Sequence, residues 1–409
     1  MTNYFFLDNL NLIFLIVMGI VSLAVIVYQG KQNLRYYAIF SAFIFSMIGA
    51  ILSNNLGLTW VFIEATTLTS AYLILHDKNK NSLEAAWKYT FLCSIGISLA
   101  FVGIILLLLA TGNINSLNYQ ELYTNAHLIN PFWLKLSFIF IVIGFGTKVG
   151  LAPVHSWLPD AHAEAPSAIS AMLSATLLNS AFLVILRFFK LMQLAGAGDC
   201  AKTLLYIMSI LSIFIATIFI FKINNYKRML AYSSIENMGI ISLGVALGGV
   251  ATFGALLHLI VHSFIKCALF LTSGNILKLY KTKEIPKIKG IIEQDNITGW
   301  LWVIGAILIV GIPPSPIFIS EFLMIKQMLI NQNYFLLLAF FILLTFIAFG
   351  IMTSVIKMSF DTNNTPTVQK FSPNKYLPQI TILILAICLS FCMTSGLYDF
   401  IKEAEKWIY

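Results

Sequence analysis

The sequence predicts an all-α polytopic membrane protein with about twelve transmembrane helices, built as two inverted five-helix repeats that each contain a broken helix. Three observations predict it. Of 409 residues, 59% are hydrophobic and only 10% are charged, with a mean hydropathy of +0.87, whereas soluble domains carry about 25% charged residues. The apolar residues form runs near the ~20 residues that a spanning helix needs. Two of these runs are interrupted by proline, glycine and charge, which a bilayer tolerates only where protein or a water-lined cavity satisfies the freed backbone.

In chain order the runs are roughly 10–28, 35–53, 56–76, 84–110, 134–157, 167–190, 201–222, 229–248, 250–280, 298–327, 333–357 and 376–397. The fifth breaks at Pro153 to Pro159 and the tenth at Gly311 to Phe322. With the N-terminus outside, sixteen of the 25 Lys and Arg residues fall in inside loops, from Lys31 and Arg35 through Lys78 to Lys88, Lys222 to Arg228 and Lys278 to Lys289 to Lys357, Lys370 and Lys375. Six fall outside, with Arg187 and Lys190 on the wrong side for the rule that positive loops stay cytoplasmic. The net charge of +8 is spread over these short loops, so it encodes topology and excludes nucleic acid as a partner.

Cys93, Cys200, Cys267, Cys388 and Cys392 show no C-x-x-C spacing, so neither a disulfide framework nor an iron–sulfur cluster is implied. No cofactor or metal site is expected. Asp8, with no Lys or Arg before the first run, argues against a cleaved signal peptide.

Two broken runs five apart suggest that runs 2–6 match runs 7–11. A directly repeated five-helix unit must reverse its orientation, and inverted repeats place sites where helices break. The expected division is an N-terminal helix (1–34), a first repeat (35–190), an inverted second repeat (201–357), and a C-terminal helix and tail (358–409). Glu64 and Glu236 then lie in the second helix of each unit, and Lys148 and Glu321 in the broken helices.

A charge at the bilayer centre costs roughly 2.5–3.5 kcal/mol on insertion scales, so each intramembrane ionisable residue is a candidate for function. Lys148, flanked by Gly144, Gly146 and Gly150, precedes a stretch that must still cross the bilayer, and Glu64 is its expected partner. His258, His262 and Lys266 recur every four residues and share one helical face, as a proton relay requires. Core histidines with a snorkelling lysine are the alternative, and a haem would need partner histidines on another helix. Glu236 and Glu321 complete the set, each also readable as a carboxylate capped by a preceding serine. His155, Asp160 and His162, beside the break, fit transport or an interfacial helix start equally.

The stretches GTKVGLAPVHSWLPDAHAEAPSAISAML (146–173), KRMLAYSSIENMGII (227–241), HLIVHSFIKCALFLTSGNI (258–276) and GIPPSPIFISEFLMI (311–325) together resemble the proton-channel subunits shared by respiratory complex I, multisubunit sodium/proton antiporters and membrane-bound hydrogenases. The wording WVFIEATTLTSAYL and AYSSIENMGI is closest to component F subunits of the hydrogenase-4 type. The resemblance, over about residues 35–357, implies two inverted units with a half channel each. It puts the essential glutamate on Glu64, the broken-helix lysine on Lys148, the central lysine on Lys266, the exit glutamate on Glu321 and the linking histidines on His258 and His262.

Three departures matter. Asn179 stands where relatives carry a lysine, Asn237 stands where hydrogenase-type subunits show histidine, and the chain has twelve runs where the family generally has fourteen, with no room for a long lateral helix. The implied function is proton translocation within a redox-driven complex in the inner membrane. No redox centre lies in the chain itself, so the implied partners are other membrane subunits and a peripheral hydrogenase, formate-oxidising or NADH/quinone module. The alternatives are a cation/proton antiporter or ion-coupled solute transporter, for bicarbonate for example, and a scaffold that has lost pumping.

Overall fold

A computed structural model describes residues 4–77, 79–112, 114, 116–362, 371–391 and 393–409. Lys78, Lys370 and Cys392 lie outside the described residues. The first four helices are α1 (Asn9–Gln29), α2 (Leu34–Leu52), α3 (Leu56–Ile74) and α4 (Lys80–Thr111). They start on Asp8, Asn33, Asn55 and Asn79, whose side-chain oxygens accept backbone N–H groups that the first turn leaves unpaired. After the short α5 (Tyr119–Thr124), α6 (Pro131–Val149) starts on Asn130, with Pro131 where no N–H is needed. Then come α7 (Trp157–Glu164) and α8 (Ser167–Met172), which runs through a π-helical turn, Leu173–Leu177, into α9 (Leu178–Leu194).

The second half contains α10 (Gly198–Lys222), α11 (Tyr226–Leu247), α12 (Val250–Tyr280), a single turn α13 (Ile291–Gln294), α14 (Asn296–Ile309), α15 (Pro316–Ile330) and α16 (Tyr334–Phe360). The chain continues through α17 (Leu377–Phe391) and α18 (Ser395–Glu405). A helix or helix pair stands at every expected run. Among the described residues, nine helical stretches are long and apolar enough to cross a membrane alone, or ten if the bent pair α17–α18 is one span. By that measure the expected twelve is not reached. The shortfall has local causes: α3 carries Glu64 among threonines, while α14 and α15 are halves of one run.

The breaks lie earlier than proline positions suggest. Helix α6 ends because Gly150, at φ +79°, turns left-handed, so that Leu151 N–H reaches Gly146 O and Gly150 N–H reaches Thr147 O. Helix α14 ends in the same way at Gly311, φ +75°, with Ile312 N–H on Ile307 O and Gly311 N–H on Leu308 O. The gaps are therefore 150–156 and 310–315. Pro159 and Phe322, expected inside the breaks, are helical, and Pro159 fits the first turn of α7, where its missing N–H has no intrahelical role.

The two halves repeat further devices in register. Val149, Gly150, Pro153 and Asp160 correspond in spacing to Val310, Gly311, Pro314 and Glu321. Before α3, Leu56 N–H bonds Leu117 O and Tyr119 N–H bonds Asn54 O, clasping the start of α3 to the chain after α4. Before α11, Tyr226 N–H bonds Lys283 O and Ile285 N–H bonds Asn224 O, clasping the start of α11 to the chain after α12. The first clasp adjoins Tyr4 and Phe6, through Asn54 N–H on Tyr4 O and Phe6 N–H on Leu52 O. That end also holds Trp407 against Phe6 and Asp8 against Arg187. The second clasp adjoins Glu164, paired with Lys283, at the end where Tyr28 meets Asn275 and Lys375. Equivalent clasps thus sit at opposite ends of the bundle.

Candidate functional site

The interior carries a band of ionisable and hydroxyl side chains from α3 to α15. In the first half, Lys148 sits in the last turn of α6 and is fully buried. Its Nζ donates to the Tyr89 hydroxyl at 2.6 Å and lies 4.7 Å from the centre of the same ring. Ser70 donates its one hydrogen to Thr66 O, so the phenol's own hydrogen faces Ser70 Oγ at 2.6 Å. Glu64 accepts from Ser94 Oγ at 2.7 Å and from Thr67 Oγ1 at 3.2 Å.

The expected Glu64–Lys148 ion pair is not formed. The reason is the order of helices: α4 packs against both α3 and α6, and it offers Tyr89 to the lysine and Ser94 to the glutamate.

Between the halves, Ser174 in the π-helical turn lies 2.8 Å from Ser234 of α11. Ser234 donates to Leu230 O, which also accepts from the buried Lys266 ammonium at 2.7 Å. The expected departure Asn179 donates to Ala175 O and to Ser263 Oγ of α12, while its side-chain oxygen has no partner among the described residues. Both ring nitrogens of His162 and both of His262 are likewise buried without a partner. Such groups ordinarily bond protein or ordered water. His162 stacks on Phe270 at 4.9 Å and is fully buried.

In the second half, Glu236 lies mid-helix in α11, at no helix start, with Ser233 preceding it by one turn. Glu321 likewise lies inside α15, whose cap is Ser315. Asn237 connects the two helices: its Nδ2 donates to Ser233 O and its Oδ1 faces His258 Nε2 at 2.9 Å. His258 Nδ1 lies 2.9 Å from Ser320 Oγ. The face shared by His258, His262 and Lys266 is therefore present, yet their hydrogen bonds run to α11 and α15 and not to one another.

The remaining candidates sit at the edge of the band. His155 is half-buried in the first break, 6.3 Å from Tyr232. Asp160 pairs with Lys88 of α4 at 3.3 Å and Arg228 of α11 at 2.6 Å, tying the two halves together through α7. Tyr89, Ser94 and Ser174 carry no mark of their own in the sequence, where Ser234 and Ser320 stand out only as possible caps of the glutamates that follow them. Tyr89 and Cys93, four apart on the buried face of α4, were the available signal for one of them.

The chain matches, over residues 53–348, the family described as NADH:quinone oxidoreductase/Mrp antiporter, transmembrane. It is 36% identical over 345 residues to the hydrogenase-4 component F homolog of Methylacidiphilum infernorum, covering 80% of this chain and 72% of that one. It is 27% identical over 321 residues to NADH-quinone oxidoreductase subunit N of Desulforudis audaxviator, covering 76% and 64%. A chain in the structure of the archaeal membrane-bound sulfane sulfur reductase, a respiratory membrane complex, superposes with a TM-score of 0.91 at 23% identity, covering 99% of this chain and 83% of its own. A buried band of charge on broken helices and these likenesses agree: the chain belongs to the NADH:quinone oxidoreductase/Mrp antiporter transmembrane family, as an antiporter-like membrane subunit of the hydrogenase and complex I type.

Proposed function

We propose that this subunit translocates protons across the cell membrane within a redox-driven complex of the hydrogenase-4 or NADH:quinone type. One observation carries the reading: Lys148, Lys266, Glu236, His258 and His262 are buried in one band with hydroxyl and amide groups, several with free hydrogen-bonding capacity. A protein keeps such groups out of water only where something uses them.

The units 35–190 and 201–357 each contribute a half channel, the first through Glu64 and Lys148 and the second through Glu236, Lys266, His258 and Glu321. The gating step of the first is a change of partner at Lys148 through Tyr89, with Glu64 acting across α4. Entry is from the lysine-rich end, taken as cytoplasmic, with the N-terminus outside and the chain in the inner membrane. Neighbouring membrane subunits and a peripheral redox module supply the driving energy. The test is coupled proton uptake by the purified complex in liposomes: Lys148→Ala and Glu64→Gln each abolish it, and unchanged pumping in both sinks the proposal.

The family's description also spans Mrp antiporters, which supports a second reading as a cation/proton antiporter. Sodium-dependent proton movement in the same liposomes, without redox turnover, selects it.

A further inference from the structure

Counting hydrogens around His258 gives it a specific part in the proposed transfer. Asn237 Nδ2 lies 2.7 Å from Ser233 O, and a carbonyl can only be met by a donor, which fixes the amide so that its oxygen faces His258. The imidazole must then carry a hydrogen on Nε2, 2.9 Å from that oxygen.

The other ring nitrogen is poised differently. Ser320 Oγ lies 2.9 Å from His258 Nδ1 and 2.6 Å from Ile317 O, and a hydroxyl has one hydrogen for these two neighbours. With that hydrogen on Nδ1, the ring is neutral and fully bonded. With it on Ile317 O, the hydroxyl oxygen accepts from an Nδ1–H, and the ring is an imidazolium that is again fully bonded. No heavy atom has to move between the two states.

We propose that His258 takes up and releases its proton at Nδ1 through Ser320, with Asn237 as the positioning residue that holds the Nε2 hydrogen in place. The step balances. A proton arriving at Ser320 Oγ from a carboxyl or hydronium donor on the α15 side becomes the new hydroxyl hydrogen. The old one passes to Nδ1 as one O–H bond breaks and one N–H bond forms, and the reverse steps unload the ring. The exchange route of His258 therefore runs towards α15, where Glu321 follows Ser320. It does not run along α12 through His262 to Lys266, because the amide oxygen on the Nε2 side offers no proton to exchange. Glu236, 3.4 Å from Asn237 Nδ2, steadies the amide from α11.

This inference rests on the proton-translocation reading, and the experiment separates the two. The whole complex, labelled with nitrogen-15 histidine and with the His258 signal assigned by its loss in His258→Asn, is measured by solid-state NMR. The expected resting signal is the Nε2–H tautomer with an accepting Nδ1; an Nδ1–H tautomer overturns the inference. In liposomes, Ser320→Ala lowers proton uptake at least about tenfold, the scale for losing one hydrogen bond to a charged group, and Ser320→Thr, which restores the hydroxyl, recovers most of it. Uptake in Ser320→Ala equal to wild type also overturns the inference. A wild-type complex that moves no protons while showing the Nε2–H tautomer refutes the translocation reading and leaves the hydrogen-bond assignment standing.

Discussion

Lys148 keeps its charge inside the bundle by way of one phenol. Tyr89→Phe leaves the ring under the ammonium but removes the hydroxyl that joins Lys148 to Ser70. Losing a hydrogen bond to a charged group is worth about 1.5–3 kcal/mol, so proton uptake is expected to fall roughly ten- to a hundredfold while the subunit still assembles, as a liposome assay and a native gel will show. Arg187 is another buried cation, and it pairs with Asp8 at 2.5 Å, donates to Asn11 at 2.6 Å and stacks near Phe6 and Trp407. Asp8 also caps α1, so Asp8→Ala removes a cap and strands a cation; a loss of about 3–5 kcal/mol is expected from the broken pair, read as a lowered melting temperature in detergent. Asp8→Leu with Arg187→Met recovers a large part. With the N-terminus outside, as expected from the lysine-rich loops, the pair would account for Arg187 lying on the wrong side for the charge rule, because Asp8 neutralises it. Buried charges were easy to find in the sequence because hydrocarbon surroundings make each one conspicuous. Their partners were not, since a tyrosine or serine in an apolar run is ordinary and the intervening position of α4 is a tertiary fact.

At the scale of elements, the breaks depend on two glycines. A Cβ at Gly150 would run into Leu158 Cδ1, and one at Gly311 would lie 2.7 Å from Glu321 Oε2. A left-handed non-glycine residue costs roughly 1–2 kcal/mol before any clash. Gly150→Ala is therefore expected to destabilise by about that amount or more, whereas Gly311→Ala should in addition slow proton uptake by displacing the Glu321 carboxylate. Thermal unfolding and liposome uptake, measured on both variants, separate the two effects; equal activity loss per degree of melting would remove the special role of Gly311. The sequence located both breaks: the first was placed on its prolines, three residues past the glycine that ends α6, and the second began on the right glycine, Gly311, but ran too far, to Phe322. The π-helical turn that brings Ser174 to Ser234 leaves no composition signature at all, being made of residues an α-helix also accepts.

For the molecule as a whole, the repeat was readable from spacing, while the evidence that the halves are turned over came from which ends touch. The two backbone clasps bear on how the protein can move. Helices α3 and α4 are joined by a short connection at one end and by the Leu56–Leu117 and Tyr119–Asn54 bonds at the other; α11 and α12 are closed likewise by Gly248–Gly249 and by the Tyr226–Lys283 and Ile285–Asn224 bonds. Each pair is a closed ring. Spin labels at Leu68→Cys and Phe91→Cys, across α3 and α4, are expected to keep one narrow distance by pulsed EPR at rest and during turnover. Labels at Trp87→Cys and Ser156→Cys, from α4 to the first break, are expected to shift or broaden; movement within the first pair would refute this view. A ring stitched at both ends is expected to behave as a strut, so that under the proposed translocation reading bending falls on the two short wrists at 150–156 and 310–315, and the helix pairs move as rigid levers on two joints in place of a bundle that breathes along its length.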